Sequence, residues 1–170
     1  MSTLFVIGGA RSGKSRYAQR RIEALPGNLA FIATAQPFDD EMTQRIARHR
    51  SDRGERWTTW EAPIDVSEAI AKAARCADAV LVDCLTLWLS NVMLAGLDTE
   101  AMGATLIAAL RASSVPVVVV ANEVGMGIVP ENALARRFRD DAGRLNQNVA
   151  AMADEVVLVC AGLPLVLKSG

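Results

Sequence analysis

Residues 3–15 read TLFVIGGARSGKS, and this stretch decides the fold. Its first part, Thr3–Ile7, is a short run apolar on both faces, which predicts a buried strand. Its second part, Gly8–Ser15, fits G-x-x-x-x-G-K-[ST] at every position. Beyond it, Lys14–Leu25 places Ala18, Ile22 and Leu25 on one helical face. A strand, a glycine loop and an amphipathic helix in that order make an anion cradle. Backbone N–H groups along Gly8, Gly9, Ala10, Arg11, Ser12 and Gly13 converge with the helix N-terminus on a phosphate chain. Lys14 would reach the outer phosphates as a point charge, and the Ser15 hydroxyl would ligate Mg²⁺. A glycine turn kept for packing alone is the bland alternative. The complete pattern in its strand–loop–helix setting argues against it.

The same alternation runs outward to the rest of the chain. Leu29–Ala33, Ala79–Asp83, Val117–Ala121 and Glu155–Cys160 read as further buried strands. Arg56–Glu61 (RWTTWE) and Leu163–Lys168 (LPLVLK) are weaker strands suited to sheet edges. Helical patterns cover Asp65–Arg75, opening on an Asp65/Glu68 variant of the capping box, and Glu131–Met152. In the latter, Leu134, Phe138, Ala142, Leu145, Val149 and Met152 trace one stripe. Turn residues fall at Pro26-Gly27-Asn28, Gly54, Gly96 and Ser114–Pro116. The expected fold is α/β, a P-loop NTPase-like, mostly parallel sheet flanked by helices, with residues 1–170 as a single domain. Ligands on such sheets collect at the carboxyl ends of the strands. Asp83 ends its apolar strand there, as a carboxylate that holds Mg²⁺ beside a bound triphosphate should.

Composition narrows the class. The 170 residues are 51% hydrophobic, enough to bury a core without disulfides or structural metals. Eighteen Lys and Arg against 19 Asp and Glu leave a net charge of -1, which excludes a nucleic-acid binder working through a global basic field. Cys76, Cys84 and Cys160 show no CxxC spacing. Two lie in apolar runs, which predicts buried reduced thiols. No apolar run is long enough to span a membrane, and the first strand feeds straight into the glycine loop rather than a cleavage site. A soluble, cytoplasmic protein is expected.

Residues 39–56, DDEMTQRIARHRSDRGER, hold the only histidine. On a helix Arg45, His49 and Arg53 share a face, and Asp52 follows His49 by three. Five arginines against two acids stand between Arg45 and Arg56. Guanidinium charge beside an imidazole disfavours the imidazolium and keeps the ring nucleophilic. The same arginines would neutralise phosphate oxygens during displacement at phosphorus. A solvated basic helix with an incidental histidine accounts for the pattern equally well, and the residues alone leave both readings open. The strand Val117–Ala121 is followed by Asn122-Glu123-Val124-Gly125, not the Asn-Lys-x-Asp of switch GTPases.

Taken together, GGARSGKS, TAQPFDDEMTQRIARHR, VDCLTLWLSN and NEVGMGIVPENALARRFRDDAGRLNQ resemble, in order and spacing, the adenosylcobinamide kinase / adenosylcobinamide-phosphate guanylyltransferase family. The resemblance extends over essentially the whole chain. It implies two reactions in one region. The γ-phosphoryl of ATP or GTP goes to adenosylcobinamide, and GMP from GTP is then moved onto that phosphate through a covalent histidine, at the position of His49. It implies that Thr34, Ala35 and Gln36 line the nucleotide site, that Arg50, Ser51, Asp52 and Arg53 contact phosphate or ribose, and that the protein is a homotrimer. Glu61, at a strand end, suits the paired N1–H and N2–H donors of guanine. Another small-molecule P-loop kinase and a non-catalytic nucleotide-binding module remain as rivals.

Overall fold

The computed structural model describes residues 2–36 and 54–170. Among the described residues seven strands are present: β1 Thr3–Gly8, β2 Leu29–Ala33, β3 Trp57–Glu61, β4 Ala79–Asp83, β5 Val117–Asn122, β6 Glu155–Cys160 and β7 Leu163–Lys168. Five helices alternate with them among the described residues: α1 Lys14–Glu23, α2 Val66–Ala73, α3 Leu85–Leu94, α4 Thr99–Ala112 and α5 Ala133–Met152. The strands form one sheet in the order β3-β2-β4-β5-β1-β6-β7. Every pairing is parallel except β6 with β7. The two weaker strands do take the edges.

Strand alternation divides the core into two layers. Phe5, Ile7, Val80, Val82, Val117 and Val119 face one side, against Val66, Ile70, Trp88, Leu89, Leu106 and Val149 of α2–α5. Leu4, Val6, Leu81, Val118 and Val120 face the other, against Ala18 and Ile22 of α1. Each buried Val, Leu, Ile or Phe among them stabilises by about 1.5–3 kcal/mol relative to exposure. Arg21 clamps α1 to the sheet. Its Nη1 donates to Glu155 Oε1 (2.8 Å) and Nη2 to Oε2 (2.6 Å). The bidentate bond holds the Glu155 carboxyl below its usual range.

Three expectations are corrected, and two helices are added. Asp65 stands at the N-cap of α2 but makes no side-chain capping bond. The chain enters through a tight turn in which Val66 N–H already donates to Ile64 O (2.9 Å), and Glu68 pairs with Lys72 instead. Leu134 is exposed, so the buried stripe of α5 begins later and runs through Ala142, Leu145 and Val149. Of the three free thiols only Cys84 is buried, because Cys160 ends β6 at the open hairpin with β7. Finally, α3 and α4 were not expected as helices.

Candidate active site

The carboxyl ends of the parallel strands form a row set by register. Glu61 pairs with Ala33, Ala33 with Asp83, Asn122 with Gly8 and Gly8 with Val159. At an inter-strand spacing of about 4.8 Å, Asp83 lies two strands, roughly 10 Å sideways, from β1 and Glu61 four strands, roughly 19 Å, both level with Val6 through the Asp83–Val120 pairing and so two residues short of Gly8 along the strands. The glycine loop therefore occupies the middle of the row, Asp83 flanks it and Glu61 lies at the far end.

The loop is shaped by contacts from β6 and β7. A Cβ on Gly8 would sit 2.5 Å from Val159 O and 2.6 Å from Ser12 Oγ, so no side chain fits. Gly13 has φ +94, and a Cβ there would meet Gly162 Cα at 3.3 Å. Gly162 N donates to Ser12 O (2.8 Å). The two-residue turn Ala161-Gly162, both at positive φ, thus holds the loop from behind. Sequence reasoning did not assign that turn a part in the site.

Helix α1 starts at Lys14 with no side-chain cap and no acid in its first turn. Its first N–H groups remain available to an anion. Lys14 is buried, and its Nζ donates to Gly9 O (3.1 Å), which folds the ammonium over the loop with two donors left. Its charge extends to the end of β4, where it opposes the rise of the Cys84 thiol pKa. Burial, and then the neighbouring Asp83 carboxylate, push that thiol up to about 11. The structure therefore brings Lys14 and the Asp83–Cys84 segment into one electrostatic neighbourhood. Ser15 is half-buried on the first turn of α1.

Thr34 is fully buried, and its side chain is engaged within the protein. Its hydroxyl donates to Cys84 O (2.8 Å) and accepts from Cys84 N (2.8 Å), joining the ends of β2 and β4. Ala35 and Gln36 continue from it, half-buried. Asn91 of α3, which sequence reasoning missed, donates to Thr34 O (2.8 Å) and Pro63 O (3.0 Å). Thr86 Oγ1, also on α3, accepts from Asn122 N (2.6 Å). An apolar helix carrying two buried polar groups was the available signal. Asn91→Leu leaves the buried Thr34 carbonyl unpaired at about 1–3 kcal/mol and removes the bond to the part-buried Pro63 carbonyl, so melting is expected about 4 °C or more below wild type. Unchanged melting by calorimetry would remove Asn91 from this role.

His49, Arg50, Ser51, Asp52 and Arg53 lie outside the described residues. So does most of the basic block, from residue 37 to residue 53. Among the described residues no group of three or more His, Cys, Asp or Glu could hold a metal. A single carboxylate with a hydroxyl fits a hard cation that arrives with a triphosphate and takes its other ligands from phosphate and water. No helix is long and apolar enough to cross a membrane among the described residues.

Comparison with known proteins adds an independent line. The sequence pattern of the family described as cobinamide kinase / cobinamide phosphate guanyltransferase matches residues 4–167. The chain is 42% identical over 182 residues to the bifunctional adenosylcobalamin biosynthesis protein CobU of Salmonella typhimurium, covering 97% of this chain and 99% of that one. The corresponding protein of Escherichia coli K12 is 43% identical, with the same coverage. The CobP protein of Pseudomonas aeruginosa is 41% identical, over 96% of this chain and 95% of its own. Two solved structures share the fold at 12% identity. A KaiC-like protein of Pyrococcus horikoshii has a TM-score of 0.56 over 92% of this chain and 70% of its own. The flagellar accessory protein FlaH of Methanocaldococcus jannaschii scores 0.54 over 99% of this chain and 79% of its own. On the match over residues 4–167, this chain belongs to the family of bifunctional enzymes that are cobinamide kinase and cobinamide phosphate guanylyltransferase.

Proposed function

We infer that the protein phosphorylates adenosylcobinamide with ATP or GTP and then converts the phosphate to adenosylcobinamide-GDP. One observation carries this reading. An unbroken GGARSGKS loop sits at the β1–α1 junction of a chain matched almost end to end by the bifunctional family. In the first step the acceptor hydroxyl oxygen bonds to the γ-phosphorus, and the bond to the bridging oxygen breaks, releasing the nucleoside diphosphate. In the second, a His49 ring nitrogen bonds to the α-phosphorus of GTP and pyrophosphate leaves. A phosphate oxygen of adenosylcobinamide phosphate then displaces the histidine.

Gly8, Gly9, Ala10, Arg11, Ser12 and Gly13 would cradle phosphates, with Lys14 neutralising charge on the transferring group. Ser15 and Asp83 would hold Mg²⁺, which supplies charge neutralisation on the phosphate oxygens. Ala35 and Gln36 would line the nucleotide, with Thr34 setting their position. Arg50, Ser51, Asp52 and Arg53 would contact phosphate or ribose. Residues 1–170 would act as one catalytic domain in the cytoplasm. The exposed apolar edge strand β7, with Leu163, Leu165, Val166 and Leu167, supports a subunit contact, and the family resemblance implies that the assembly is a homotrimer. Light scattering tests that mass.

The reaction is tested by supplying adenosylcobinamide with γ-labelled ATP or GTP and following label into the corrinoid, then adding GTP and measuring pyrophosphate. Transfer to neither product would leave the rival nucleotide-binding module, and transfer of phosphate alone would leave a simple kinase. Base selection gives a further expectation. A carboxylate at Glu61 accepts from both guanine donors but opposes the lone pair of adenine N1. Losing a hydrogen bond to a charged group costs roughly 1.5–3 kcal/mol, about a ten- to hundredfold change in affinity. Glu61→Gln should weaken GTP binding and narrow the preference over ATP in parallel titrations. An unchanged ratio would remove Glu61 from the base site.

A further inference from the structure

The kinase reading leaves open which group takes the proton of the acceptor hydroxyl, and the end of β5 offers one. Glu123 N donates to Gly8 O (3.0 Å), one step beyond the Asn122–Gly8 register pair. Asn122 N is held by Thr86 Oγ1 (2.6 Å). Two consecutive N–H groups therefore pin this backbone, one of them to the first residue of the glycine loop. Strand β5 stands between β1 and β4, so Glu123 emerges between the loop carrying Lys14 and the strand ending in Asp83.

The carboxylate is half-buried, and its Oε1 accepts from Gly125 N. A Cβ on Gly125 would come within 2.9 Å of that oxygen, so the carboxylate lies close against the loop backbone. Oε2 has no partner among the described residues. One oxygen is oriented, and the other takes no bond from a described residue. The remaining strand-end groups are poorer candidates. Asn122 is an amide, Glu61 lies about 19 Å along the row, and Asp83 is placed for the cation. The loop beyond Glu123 exposes Met126, Ile128 and Val129 by 82%, 98% and 59%, apolar surface on the same loop that the body of a macrocyclic acceptor could cover.

We propose that Glu123 is the catalytic carboxylate of the phosphoryl-transfer step, a role that rests on the kinase reading above. As the hydroxyl oxygen bonds to the γ-phosphorus and the bridging P–O bond breaks, the hydroxyl proton passes to Glu123. The nucleoside diphosphate carries away the bond electrons. Positioned proton transfer contributes about 10²–10⁴-fold to a rate.

The test compares wild type, Glu123→Gln, Glu123→Asp and, as a loop-charge control, Glu131→Gln. Each is assayed for phosphorylation of adenosylcobinamide across pH, and for GMP transfer to pre-formed adenosylcobinamide phosphate. Glu123→Gln should lose about 10²–10⁴ in kinase kcat. Its loss in GMP transfer should be far smaller. Glu123→Asp should recover part of the rate, and Glu131→Gln should behave as wild type. Equal loss of both activities in Glu123→Gln would make the residue a structural tie and overturn the proposal. So would a kinase rate like wild type. If wild type itself phosphorylates no corrinoid, the kinase reading fails and takes this role with it.

Discussion

Lys14→Ala is expected to lower both phosphoryl transfer and GMP transfer by about 10²–10³ while the chain stays folded. Both reactions begin from a triphosphate on the same loop, and both develop charge on phosphate oxygens. The ammonium folded onto Gly9 O is the one cation of the loop placed over it by an observed bond. Its removal takes away a preorganised charge in a buried setting, where the dielectric is low and replacement by water is poor. The fold should survive because the core layers on either side of the sheet do not use this side chain. Steady-state rates for the two reactions, with circular dichroism on the same sample, check this. Either activity near wild type would contradict a shared phosphate site.

His49→Ala is expected to separate the two chemistries. Direct transfer of the γ-phosphoryl needs no covalent intermediate, whereas GMP transfer through a phosphoramidate has no route without the imidazole. The variant should lose GMP transfer entirely and keep substantial kinase activity. Measuring label from γ-labelled ATP into adenosylcobinamide beside pyrophosphate release from GTP reads both. Loss of both to the same degree would make His49 a general phosphate contact, and would return the basic block to a solvated helix face.

The sheet was legible in the sequence because its strands are buried on both sides. Runs such as Val117–Ala121 have no polar face to confuse the period, and the glycine loop fixed where β1 ends. The edge strands were legible for the opposite reason, since RWTTWE and LPLVLK mix polar or proline residues into short runs. Helix α3 was hidden by its own burial. LTLWLSNVML is apolar nearly all round, so it shows no helical period even though Trp88, Leu89 and Val92 are buried. Helix α4 is alanine-rich, and its stripe is reduced to Gly103, Leu106 and Leu110. Its start is marked by Asp98, whose carboxylate accepts from Glu100 N (2.9 Å) and Ala101 N (3.1 Å).

Within the site, the residues that sequence could name were those whose chemistry is local: the loop glycines, Lys14, Ser15 and Asp83. The supports were not legible, because they come from distant parts of the chain. Asn91 reaches Thr34 across 57 positions, and Gly162 braces Ser12 from the far hairpin. Neither residue type announces such a role. Each acquires it only when the sheet order places β6 beside β1 and α3 over the end of β2.

One small α/β chain should both bind a triphosphate and form a covalent link to GMP. Intact mass after incubation with GTP and Mg²⁺, without any corrinoid, tests it most directly. Wild type should gain the mass of one guanylyl group, lost again on mild acid treatment as expected for a phosphorus–nitrogen bond, and His49→Ala should gain nothing. No mass gain on wild type, or the same gain on His49→Ala, would contradict the account.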